Sequence, residues 1–103
     1  STAKWSLVDF DIKEQVIHLF RLCMQAKTKG HDIFFNYYPH VQAVELRCFA
    51  NGWIRNIKET PTETFYFYIG KNNDLALTQD NIHKIEIAEA YLKGLIECTS
   101  PTT

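Results

Sequence analysis

The chain is short of the residues that staple, anchor or bias a small domain. Its three cysteines, Cys23, Cys48 and Cys98, are an odd number at wide spacing, which suits neither a disulfide framework nor a CxxC metal or redox site. A reducing cytoplasm is the simpler setting. No N-x-S/T acceptor is present, and Ser1 to Phe10 lacks the basic and apolar regions of a secretory signal. No apolar run approaches the roughly 20 residues a membrane helix needs. Charge of one sign is missing too: eleven basic residues oppose twelve acidic ones, a formal charge of -1, so no bulk field draws the chain to nucleic acid or anionic lipid. With four glycines and three prolines the chain cannot be collagen-like or a low-complexity linker.

What remains is a sequence of 103 residues, 46% hydrophobic and 14% aromatic, enough for one cored domain. From Asp11, apolar residues fall at Ile12, Val16, Leu19, Phe20, Cys23 and Met24, one face of a helix predicted over about 11 to 29. Asp11 with Glu14 resembles a capping box, and Gly30 is a natural stop. The period then changes to two. His31 to Tyr38 and Val41 to Ala50 read as a hairpin around Pro39-His40, and the second run is the clearest strand in the chain. Asn51-Gly52 suits a type I′ turn, which predicts a further strand over Trp53 to Ile57. Thr64 to Ile69 is the last strand. Ile82, Ile85, Ala88, Leu92, Leu95 and Ile96 form the stripe of a second helix, beginning near Thr78 or Asp80 and ending by Cys98. Both ends, Ser1 to Ser6 and Thr99 to Thr103, are expected to fray.

The expected fold is therefore α+β: an antiparallel sheet of three to four strands with two helices on one face, leaving the other face open. Alternation assigns Ile33, Phe35, Tyr37, Val44, Leu46, Cys48, Trp53, Ile57, Phe65, Phe67 and Ile69 to the core side. Phe34, Asn36, Tyr38, Glu45, Arg47, Phe49, Ile54, Asn56, Tyr66 and Tyr68 fall on the open side, with Phe49 expected opposite Ile54 and Arg47 opposite Asn56. Aromatics mixed with a few polar groups are the composition of interface cores. The competing reading is that these rings only brace the sheet, or lie beneath the segment around Trp5 and Phe10.

Little points to chemistry. His18, His31, His40, His83, Glu45 and Arg47 are the groups able to titrate or bind anions, and none stands in a diagnostic motif. His40 with Glu45 can be drawn as an acid–base pair, with Arg47 holding a phosphate. HExxH, GxGxxG, GxxxxGKS/T and GxSxG are all missing, so neither metal nor nucleotide cofactor is expected. Helix, three strands, helix is also the element order of the double-stranded RNA-binding domain, but Thr78 to Lys84 carries one lysine and one aspartate where that family grips phosphates. Base stacking on the open aromatics is the other nucleic-acid reading, opposed by Arg47 being nearly the only cation there.

His31-Asp32-Ile33-Phe34-Phe35-Asn36-Tyr37-Tyr38-Pro39-His40-Val41, with Val44-Glu45-Leu46-Arg47 and Asn51-Gly52-Trp53, resembles small proteins carried by phages and prophages of Gram-positive bacteria. The likeness covers roughly residues 30 to 55. It implies an interaction role in the host cytoplasm and names no activity. The sequence thus leads to a non-enzymatic module that contacts a protein partner, or its own copy, through Phe34, Tyr38, Glu45, Arg47, Phe49, Tyr66 and Tyr68. A nucleic-acid-binding regulator using the same face is the alternative.

Overall fold

The computed structural model describes residues 12–54, 60–70 and 75–97. Five elements follow in order: α1 (Ile12–Lys27), β1 (Asp32–Tyr38), β2 (Ala43–Phe49), β3 (Glu63–Tyr68) and α2 (Leu75–Glu97). The fold is α+β, with the helices packed on an antiparallel sheet of order β1-β2-β3.

Helix α1 buries Leu19, Leu22, Cys23 and Ala26, a single stripe at helical spacing. It stops where Gly30 adopts φ +89°, a conformation that costs glycine nothing. The His31 amide then donates to Ala26 at 3.1 Å and the Gly30 amide to Lys27 at 3.0 Å, satisfying carbonyls the helix end leaves open. That reversal delivers the chain into β1. The expected cap at Asp11 and the fraying ends lie outside the described residues.

The period-two alternation decides the sheet. Val44, Leu46 and Cys48 of β2 are fully buried against the helices, joined by Phe65 and Phe67 of β3 and by Ile85, Ala88 and Leu92 of α2. Between β1 and β2 the chain turns through Gln42 at φ 52°, and its carbonyl accepts the Ile69 amide at 2.8 Å. A Cβ at Gly70 would stand 2.6 Å from the Gln42 Oε1, so the Gln42 side chain would have to move aside.

Several expectations are corrected. Only Gly52 of the Asn51-Gly52 pair has a positive φ, and its amide closes a turn onto the Phe49 carbonyl at 3.0 Å, so the type I′ hairpin does not form. Trp53 and Ile54 are not in a strand, and 55–57 lie outside the described residues. The second edge of β2 goes instead to β3, which places Arg47 opposite Phe34 and Thr64 rather than Asn56, and Phe49 opposite Asp32 rather than Ile54. Trp53 leaves the core set: 43% exposed, it packs on the open-face Phe34 with ring centroids 5.6 Å apart. Tyr37 faces the helix side but is 53% exposed, because β1 is an edge strand. Finally, α2 starts at Leu75, a turn earlier than expected. Asp80 does not cap it but pairs along the helix with Lys84 at 3.2 Å.

One buried polar side chain ties α2 to the sheet. Asn81 accepts the Tyr68 amide at 3.0 Å and donates to the Leu77 carbonyl at 3.0 Å, capping one outward amide at the end of β3.

Candidate interaction surface

The face turned away from the helices carries Phe34, Asn36 and Tyr38 from β1, Ala43, Glu45, Arg47 and Phe49 from β2, and Thr64, Tyr66 and Tyr68 from β3. The register separates them into two clusters.

At one end, Glu45 sits between Asn36 and Tyr66 in neighbouring strands. Its Oε1 accepts the Tyr38 hydroxyl at 2.8 Å and the Asn36 amide at 3.3 Å, so a central carboxylate fixes two β1 side chains. Tyr38 lies 6.4 Å from Tyr66, and Tyr66 meets Tyr68 edge-on at 5.5 Å, distances at which rings hold each other's orientation. Tyr66 is 39% exposed and Tyr68 45%. The hydrogen bond to Glu45 holds the Tyr38 hydroxyl above the ordinary phenol range, and desolvation followed by the neighbouring Tyr68 does the same for Tyr66. Both phenols are neutral donors at physiological pH.

At the other end, Phe34 stands edge-on to Phe49 and to Trp53, both at 5.6 Å, and the Arg47 guanidinium lies 5.7 Å over the Phe49 ring. Phe49 is only 3% exposed. It forms the floor of this cluster, while Phe34 and Trp53 are its exposed walls. Asp32 anchors the wall: its Oδ1 takes the Lys27 ammonium at 2.7 Å and its Oδ2 the Trp53 amide at 2.7 Å. These two bonds, the lysine first, hold the Asp32 carboxyl below its usual range. His31 Nδ1–H donates to the Ala50 carbonyl at 2.5 Å and braces the same loop.

All seven sequence-selected residues therefore lie on one face, Phe34, Arg47 and Phe49 in one cluster and Tyr38, Glu45, Tyr66 and Tyr68 in the other. Trp53 and Asp32 were missed. Asp32 and Trp53 are 21 residues apart and meet through a backbone amide, so no local pattern announces them.

The titratable groups singled out in the sequence have these surroundings. His18 faces Glu89 across the helices at 3.3 Å, His31 is tied to a carbonyl, and His83 is exposed on α2. His40 lies beside the Tyr38 ring at 6.5 Å, while Glu45 is engaged by Tyr38 and Asn36. Among the described residues no cluster of histidine, cysteine or acidic side chains could hold a metal ion, and no helix is long and apolar enough to cross a membrane. The first turn of α2, Leu75 to Thr78, has no basic residue. Among the described residues, the open-face strand positions carry Glu45 and Arg47 as neighbouring opposite charges, and Asp32, which is paired with Lys27.

No family model, curated protein or solved structure matches the chain.

Proposed function

We propose that the chain is a protein-interaction module that holds a foreign protein on its open sheet face, with Tyr38, Tyr66 and Tyr68 as anchors and Phe34 with Trp53 as a second contact. The carrying observation is the Tyr38–Glu45 hydrogen bond beside two exposed, mutually oriented tyrosines. Rings held in place before binding lose little entropy on contact, and their hydroxyls add directional donors. Glu45 and Arg47 set orientation and partner choice. Phe49 supports the surface from below rather than touching the partner. A phage or prophage accessory protein acting in the host cytoplasm is the setting, resting on the resemblance of residues 31–53.

The nucleic-acid alternative shares the aromatic platform, but Glu45 beside Arg47 offsets the cation that would meet a phosphate backbone. Affinity capture with the wild type and with Tyr38→Ala and Tyr66→Ala tests the proposal, with thermal melts to verify folding. One protein should be retained by the wild type and weakened at least about tenfold by each substitution, the loss of one anchor residue. Equal retention by all three baits overturns it, as does a nucleic acid released steeply by salt and lost in Arg47→Glu.

A further inference from the structure

On β3 one outward amide, that of Tyr68, is taken by Asn81. On β1, among the described residues, no hydrogen-bonded partner faces the outer edge, and Ile33 to Tyr38 has none of the charges, prolines or bulges that usually guard one. Which amides face outward follows from the ladder. With the Tyr68 amide pointing away from β2, its partner Ala43 turns its backbone groups toward Tyr38, and alternation then leaves Ile33, Phe35 and Tyr37 with N–H and C=O directed off the sheet.

These residues carry their side chains on the helix side, where two hollows of about 380 Å³ each open along β1. The first is lined by Phe20, Met24 and Ile33 and, around the sheet edge, by Phe34 and Trp53; the second is lined by Val16, Ile17, Phe20 and Phe35, so Phe20 borders both. Two residues along a strand is about 6.6 Å, the spacing of successive same-face side chains. Ile17, Phe20 and Met24, at i, i+3 and i+7 of α1, form an exposed apolar stripe beside the hollows.

We infer that a second copy of this chain docks here, its β1 pairing antiparallel with the first to make one six-stranded sheet. β1 is its own complement. Centred on Phe35, the two-fold pairing sets Ile33 opposite Tyr37 and Phe35 opposite itself, so each of the three outward residues exchanges both of its backbone hydrogen bonds with the other copy. Tyr37 of the other copy then enters the hollow at Ile33, and its Phe35 the hollow at Phe35. The two Lys27–Asp32 pairs stand about 20 Å apart, six strand residues, so like charges do not meet. Ile17, Phe20, Met24 and Tyr37, each roughly half exposed, offer on the order of 450 Å² per copy before the strand backbone is counted, against about 800 Å² for a standard interface. The surface is distinct from the tyrosine cluster, and pairing would align the two open faces side by side.

Light scattering and sedimentation of the full chain across protein concentration test this, together with amide exchange. The wild type should reach about twice its 12.0 kDa mass, and the amides of Ile33, Phe35 and Tyr37 should become protected as it does. Tyr37→Pro removes an outward N–H without touching the ladder to β2, and Ile17→Lys charges the exposed stripe. Each should weaken association at least tenfold with the fold kept, and if Tyr37→Pro does not fold, Ile17→Lys decides. Tyr66→Ala should leave the dimer intact. A monomer at all concentrations overturns the inference, as does a dimer indifferent to both edge variants or one broken only by Tyr66→Ala, which would move self-association to the open face.

Discussion

The Tyr38 hydroxyl donates to Glu45 Oε1 at 2.8 Å, across the β1–β2 ladder, and aims its ring alongside Tyr66. A carboxylate accepting this bond stabilises the neutral phenol, which is why the Tyr38 pKa is raised. Glu45→Ala should therefore lower that pKa toward the ordinary value, read as an earlier phenolate transition in an ultraviolet titration. It should also weaken partner binding less than Tyr38→Ala, since the ring remains while its orientation is lost. An unchanged titration would remove Glu45 from its positioning role.

Asp32 joins the end of α1, the start of β1 and the loop carrying Trp53. Asp32→Asn keeps the shape and removes the charge, and should cost on the order of 1 kcal/mol, from the lost ion pair with Lys27 and the weakened bond to the Trp53 amide. Because the folded carboxyl is held below its unfolded value, the stabilisation is complete above about pH 4 and is lost as pH falls through the folded pKa. Denaturant midpoints of the wild type should fall over that acid range by more than those of Asp32→Asn.

Burial pushes the thiols of Cys23 and Cys48 from 9.0 up to about 12. The folded chain thus holds these protons more tightly than the unfolded one. Stability is fully present below about pH 9 and declines as pH rises toward 12. Peptide-mapped alkylation at neutral pH should label neither residue until the chain unfolds, since burial suppresses the reactive thiolate. Rapid labelling of either in the folded protein would contradict the packing.

Two part-buried polar groups should respond in opposite directions. Asn81→Leu strands the Tyr68 amide and should cost about 1–3 kcal/mol. The Tyr91 hydroxyl is buried beside Phe65 with no hydrogen-bond partner among the described residues, so Tyr91→Phe should be neutral or raise the melting temperature. Thermal melts of the two variants check both signs.

The helix stripe of α1, the Gly30 stop and the alternation of β2 were all legible, because each is set by residues adjacent in the chain. The open-face set was legible for the same reason: alternation alone assigns Phe34, Tyr38, Glu45, Arg47, Tyr66 and Tyr68. What followed Gly52 was not. Asn51-Gly52 signals a turn but not the partner of the free edge of β2, and β3 takes that edge by burying Phe65 and Phe67 at alternate positions. The burial of Phe49 and the displacement of Trp53 depend on ring contacts with Phe34, which arise only once β1 and β2 are in register. The early start of α2 was hidden by Asp80, a residue type that caps helices but here pairs inside one.

The central claim is that Tyr38, Tyr66 and Tyr68 contact a protein. The most direct measurement replaces Tyr66 with a photo-crosslinking phenylalanine analogue in the native cellular setting, with the same analogue at Lys93 on α2 as control. A discrete protein adduct from position 66 alone, lost when Tyr38→Ala is added, is the expected result. Equal adducts from both positions, or an adduct to nucleic acid, would contradict it.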